Sequence, residues 1–124
     1  MRILYVEDSS ELRDTITLLM EGPGRSIVAC ASAEEALGHA AVPGAFELLV
    51  SDVSLPGMSG IELCRILLAR DSRLRVVLCS GYHVSDGLPD LGTRVHLLHK
   101  PFDIDVLESL LEGIQAEVEG EKVA

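Results

Sequence analysis

Along this chain, short unbroken apolar runs alternate with stretches whose apolar positions recur every three or four residues. Ile3 to Val6 is the first run, and a continuous run of that length predicts a strand buried on both faces. Leu12, Ile16, Leu19 and Met20 then fall at helical spacing, after Ser9 or Ser10 as cap and before a break at Gly22-Pro23-Gly24. Ile27 to Ala31 predicts a second strand. Ser32-Ala33-Glu34-Glu35 has the form of a capping box and opens a short Ala-rich helix that stops near Pro43-Gly44. Phe46 to Val50 predicts a third strand. A second capping box, Ser59-Gly60-Ile61-Glu62, opens a helix with Ile61, Cys64, Leu67 and Leu68 as its apolar stripe. Val76 to Cys79 and Val95 to Leu98 predict strands four and five. Asp103 then caps a last helix with the stripe Ile104, Leu107, Leu111, Ile114 and Val118, and the mostly polar tail from Glu117 to Ala124 is expected to fray. A domain over 1–118 with a polar tail at 119–124 follows.

Strands alternating with helices predict an α/β fold: a five-stranded parallel sheet with right-handed crossovers and helices on both faces. One segment departs from the alternation. A helix is due between strands four and five, but residues 83–92 contain Gly87 and Pro89. Proline in a helix interior costs about 3 kcal/mol. The fourth helix is therefore expected to be weak or replaced by a loop.

Composition narrows the class. The 124 residues carry a net charge of −10, with 48% apolar and 24% charged residues. That apolar content suits one globular domain and argues against disorder. The acidity argues against direct nucleic-acid binding, which needs clustered Lys and Arg. Cys30, Cys64 and Cys79 show no CxxC spacing and lie in apolar runs, so reduced, buried thiols are expected. No 18-residue apolar run occurs, and Glu7-Asp8 follows the first residues too soon for a signal peptide; no membrane insertion and a cytoplasmic location are expected. No Gly-rich phosphate loop follows the first strand. No two of the four histidines stand at ligand spacing on one predicted helix, so a zinc site is not expected.

In sheets of this kind, ligands bind outside the carboxyl ends of the strands. Glu7-Asp8 follows strand one, Ser51-Asp52 strand three, Ser80-Gly81 strand four, and His99-Lys100-Pro101 strand five. Any one of these has an ordinary structural reading: a cap, a turn residue, a loop pair or a solvated cation. Their joint placement at the active ends of four strands does not. Three clustered carboxylates repel one another unless a cation or proton joins them. Hard oxygen ligands suit Mg²⁺, and a neighbouring lysine supplies a positive charge for a phosphoryl group. A carboxylate oxygen can itself attack phosphorus.

These residues resemble a two-component response-regulator receiver domain over nearly the whole chain. The resemblance rests on Ile3-Leu4-Tyr5-Val6-Glu7-Asp8, on Leu49 to Gly60, on Leu78-Cys79-Ser80-Gly81-Tyr82 and on Lys100-Pro101-Phe102, in that order. Asp52 follows Asp8 by 44 residues, Ser80 follows Asp52 by 28 and Lys100 follows Ser80 by 20. The resemblance implies a flavodoxin-like, doubly wound sheet of order 2-1-3-4-5. It implies Asp52 as phosphoacceptor, with Mg²⁺ held by Glu7, Asp8, Asp52 and the backbone carbonyl of Ser54. Lys100 would pair with the phosphoryl oxygens, Ser80 would turn its hydroxyl to them, and the Lys100–Pro101 bond would be cis. The donor would be a histidine kinase or a histidine phosphotransfer protein, acting on a signalling switch that promotes its own phosphorylation and dephosphorylation. An effector, a homodimer and a place within a hybrid histidine kinase are further implied possibilities.

Two features depart from that pattern. Leu97 stands where relatives often carry an aromatic residue three positions before the lysine, and Tyr82 is a candidate substitute. The segment 83–92 is a candidate lid. Two other functions compete: a small Mg²⁺-dependent phosphatase with an aspartyl nucleophile, and a degenerate receiver that only binds partners. Ser54 stands two residues after Asp52, where such a phosphatase needs a general acid, and no inserted cap encloses a substrate.

Overall fold

The computed structural model describes residues 1–81, 94–101 and 103–123. Within them the chain runs β1 (Arg2–Val6), α1 (Ser10–Met20), β2 (Ser26–Cys30), α2 (Ala33–His39), β3 (Leu48–Asp52), α3 (Gly60–Arg70), β4 (Arg75–Ser80), β5 (Val95–His99) and α4 (Ile104–Val123). The strands form one sheet of order β2-β1-β3-β4-β5, every pair parallel. The expected architecture and strand order are both present. Order reverses between β1 and β3, where such sheets open a crevice at the carboxyl ends.

The period of two along each strand builds two separate cores. Ile3 and Tyr5 of β1 face one side, with Val50, Val77 and Leu98, against Ile16 and Met20 of α1 and Leu107, Leu111 and Ile114 of α4. Leu4 and Val6 face the other, with Leu49 and Leu78, against Ala33 and Ala36 of α2 and Leu63, Cys64 and Leu67 of α3. Each fully buried leucine contributes roughly 1.5–3 kcal/mol by leaving water. Three serines start helices as expected. Ser9, Ser32 and Ser59 accept the backbone N–H of Leu12, Glu35 and Glu62 respectively. The Glu35 carboxylate reaches back past the cap residue and accepts the N–H of Ala31 at 2.8 Å.

Several boundaries differ from the expected ones. The third strand begins at Leu48 rather than Phe46 and ends on Asp52. Arg2 explains its start: its backbone N–H and guanidinium both hold the Glu47 carboxylate, so the first residue of the ladder opposite Ile3 is Leu48. The fourth strand likewise extends to Ser80, and the second helix stops at His39, well before Pro43. The last helix continues through Val123 instead of fraying from Glu117. Arg75, 5% exposed, donates to Glu117 at 3.0 Å and to Glu121 at 2.7 Å, and Arg94 adds a bond to Glu121. These anchors tie the polar last turns to β4 and to the entrance of β5.

All three cysteines are buried, as expected. Burial, foremost among the causes, pushes the Cys64 thiol up to about 11. Among the described residues no helix is long and apolar enough to cross a membrane. The expectations for Tyr82 and for residues 83–92 lie outside the described residues.

Candidate functional site

β1, β3, β4 and β5 deliver their final residues to one rim of the sheet. Asp52 is the last residue of β3, and its ladder partner is Cys79. The next N–H, of Val53, donates to the Cys79 carbonyl at 2.9 Å, so the backbone on both sides of the carboxylate is pinned. Ser51 Oγ donates to the Asp52 carbonyl at 2.9 Å. Glu7 follows β1; its N–H donates to the Cys30 carbonyl at 3.0 Å, and its carboxylate accepts the N–H of Ser9 at 3.1 Å. Arg13 donates to the Glu7 carbonyl at 2.8 Å. Lys100 follows β5, with its N–H on the Ser80 carbonyl at 2.8 Å.

These backbone placements bring the charged groups together. Glu7 and Asp52 are buried, and Asp8 is exposed at the mouth. One carboxylate oxygen from each of the three lies within 4.8 Å of the others. Lys100 Nζ stands 2.5 Å from Asp52 Oδ1 and 3.3 Å from Glu7 Oε1. Burial disfavours the ammonium, but the hydrogen bond to Asp52 and the charges of Asp52 and Glu7 outweigh it and hold Lys100 above the usual lysine range. The walls respond in the opposite sense to charge. Cys79 is pushed up to about 12, first by burial and then by Asp52, and Tyr5 is raised by burial and then by Glu7 and Asp52.

Asp8, Asp52, Glu7 and Lys100 thus converge as the sequence reading expected. Ser80 is buried at the end of β4, beside them in the sheet order. Ser54 lies two residues beyond Asp52 in an exposed loop, which the Gly60 N–H closes on the Val53 carbonyl at 2.9 Å. The Lys100–Pro101 bond is cis. Leu97 is half-buried and packs with the α2/α3 core, on the side of the sheet opposite Leu98.

Sequence reasoning missed Gly60. A Cβ there would sit 1.9 Å from the Asp52 carbonyl oxygen and 2.8 Å from its carbonyl carbon. The start of α3 therefore presses directly on the backbone of the buried aspartate. The signal was the glycine itself, at the first position of a helix opened by a serine cap, where its intrinsic propensity is poor.

Such a site has a hard, oxygen-only donor set beside a lysine. It is suited to hold a divalent cation and to neutralise a phosphoryl group while a carboxylate attacks it.

Comparison with known proteins identifies the family. A model of the family described as response regulator receiver domain matches residues 3–112. The uncharacterized transcriptional regulatory protein YkoG of Bacillus subtilis is 35% identical over 119 residues, 92% of this chain and 49% of that protein. The transcriptional regulatory protein FixJ of Bradyrhizobium diazoefficiens is 30% identical over 115 residues, 90% of this chain and 55% of that protein. The chain thus spans about half the length of these relatives. Among solved structures, the receiver domain of the hybrid histidine kinase CckA superposes with a TM-score of 0.71 at 32% identity, covering 92% of this chain and 98% of that one.

Proposed function

This chain belongs to the family of response-regulator receiver domains, and on that premise we propose that Asp52 is its phosphoacceptor. The observation that carries this is the placement of Lys100 Nζ, 2.5 Å from the buried Asp52 carboxylate. The donor is a phosphorylated histidine of a kinase or phosphotransfer protein. An Asp52 oxygen attacks phosphorus, the phosphorus–nitrogen bond breaks, and the imidazole nitrogen recovers the electron pair and a proton. The product is an acyl phosphate whose added charge Lys100 partly neutralises.

Glu7, Asp8, Asp52 and the carbonyl of Ser54 are the groups that would hold Mg²⁺, and their uniformly hard oxygens fit that ion. When bound, the ion lowers the charge repulsion between the acids and an incoming phosphoryl group. The chain's own residues do the rest. The β3 ladder fixes the nucleophile, Glu7 orients Lys100, and Ser80 supplies a hydroxyl for the phosphoryl oxygens. Positioning of this kind also supports self-catalysed transfer from a small donor and slow self-catalysed hydrolysis.

Leu97 cannot present a rotating aromatic ring, so the signal leaves through repacking at Ser80 and Lys100. A shift of a few kcal/mol between two states suffices for such a switch. The reading takes residues 1–118 as the receiver unit, in a cytoplasmic protein, with 119–124 as the polar stretch after it. In YkoG and FixJ about half of the length lies outside the region that this chain matches. Incubation with acetyl phosphate and Mg²⁺, followed by intact mass measurement, tests the reading. One stable phosphoryl adduct per chain is expected. Continuous multiple turnover would instead indicate a phosphatase, and absence of any adduct a module that only binds.

A further inference from the structure

A second donor cluster lies on the opposite side of β1 from the core that carries α1 and α4. Cys30 closes β2 with its thiol 1% exposed in the α2/α3 core. Glu35 and His39 stand four residues apart on α2, so they share one helix face. One ligand atom from each of the three, a thiol sulfur, a carboxylate oxygen and an imidazole nitrogen, lies within 4.8 Å of the others. We propose that Cys30, Glu35 and His39 form a binding site for a borderline-soft divalent transition-metal ion, with zinc as its representative.

The donor chemistry selects the ion. A thiolate and an imidazole favour zinc-class ions over Mg²⁺, whereas the acidic pocket is all oxygen. Zinc–ligand bonds of about 2.0–2.3 Å place tetrahedral ligands roughly 3.3–3.8 Å apart. Closing from 4.8 Å or less takes a side-chain adjustment of about 1 Å, which the exposed Glu35 and His39 can make. Glu35 is already oriented: its Oε2 accepts the Ala31 N–H at 2.8 Å, which leaves Oε1 to turn toward the metal. On binding, the Cys30 S–H bond breaks, a sulfur–zinc bond forms and the proton passes to water. A water molecule takes the fourth position. This site is distinct from the pocket of Glu7, Asp8 and Asp52, although the Cys30 carbonyl accepts the Glu7 N–H.

The test uses the reduced full chain in excess Mg²⁺, with cobalt(II) as spectroscopic probe. One equivalent of cobalt is expected to give a near-ultraviolet thiolate-to-metal charge-transfer band, and one equivalent of zinc to remove it. Cys30→Ser should abolish the band. His39→Gln, at an exposed position that leaves the fold intact, should weaken binding by roughly tenfold or more, since even outer-shell partners cost tenfold or more when lost. Asp8→Asn should leave the band in place. No thiolate band, a band that survives Cys30→Ser, unchanged affinity in His39→Gln, or loss of the band in Asp8→Asn would each overturn the proposal. Should Cys30→Ser fail to fold, the His39→Gln affinity alone decides.

Discussion

The two ends of the sheet handle charge in opposite ways. At the entrance to the strands, Arg2 pairs with Glu47, Arg25 with Glu108, Arg75 with Glu117 and Glu121, and Arg94 with Glu121. Four arginines meet four glutamates, and each arginine begins or immediately precedes a strand. At the exit, Glu7 and Asp52 share the Lys100 ammonium, with the exposed Asp8 beside them and the Arg13 guanidinium on the Glu7 carbonyl, so three carboxylates face two cations. Matched pairs hold the first end closed. The unmatched end retains an attraction for cations and a poised carboxylate. Residues that serve stability and residues that serve chemistry are therefore about a strand length apart, and substitutions at the two ends should have separable consequences.

Gly60→Ala should break that separation most severely. Its new Cβ collides with the Asp52 carbonyl, which cannot move without disturbing β3. We expect a loss of roughly 1–3 kcal/mol or more in urea unfolding, together with slower phosphoryl labelling. Arg75→Met, at the other end, keeps an apolar stem but removes the donors to Glu117 and Glu121. It should cost roughly 1–2 kcal/mol and leave labelling at the wild-type rate. A fall in both would show the ends to be coupled.

Between the ends lies the thiol-bearing interior. Burial raises Cys30 and Cys64 to about 11 and Cys79 to about 12. The folded chain thus keeps protons that the unfolded chain releases from about pH 8.5 upward. Stability should be fully present below that value and decline as pH rises toward 11. Unfolding free energy measured across this range should fall less steeply in Cys64→Val. The smallest effect is expected for Arg2→Ala. Its side chain is 53% exposed, and the pair with Glu47 should be worth under about 1 kcal/mol by thermal unfolding, and less at high salt.

The exit end was far more legible in the sequence than the entrance. Glu7, Asp8, Asp52, Ser80 and Lys100 could be found because each follows an apolar run, and the strand order puts such positions side by side. The arginines could not. Arg2, Arg25, Arg75 and Arg94 stand at strand starts as ordinary surface cations would, and their glutamate partners lie 27 or more residues away with no local pattern to mark them. For the same reason the last helix was expected to fray, because Glu117 and Glu121 look solvated until Arg75 is seen beneath them. Strand ends moved by one or two residues because ladder register, not apolar content, sets them; that is how Asp52 came to lie inside β3. Gly60 was read as part of a capping box, and its contact with Asp52 is a tertiary one. Counting histidine pairs on helices also passed over Glu35 and His39, which share a face with a cysteine brought in by β2.

The most direct test is transfer from a phosphorylated histidine kinase domain to the wild-type chain and to Asp52→Asn, followed by peptide mapping of the label. The account predicts one acid-stable, base-labile phosphoryl group on the wild type, confined to the peptide containing Asp52, and none on the variant. Label retained by Asp52→Asn at the wild-type level would contradict it.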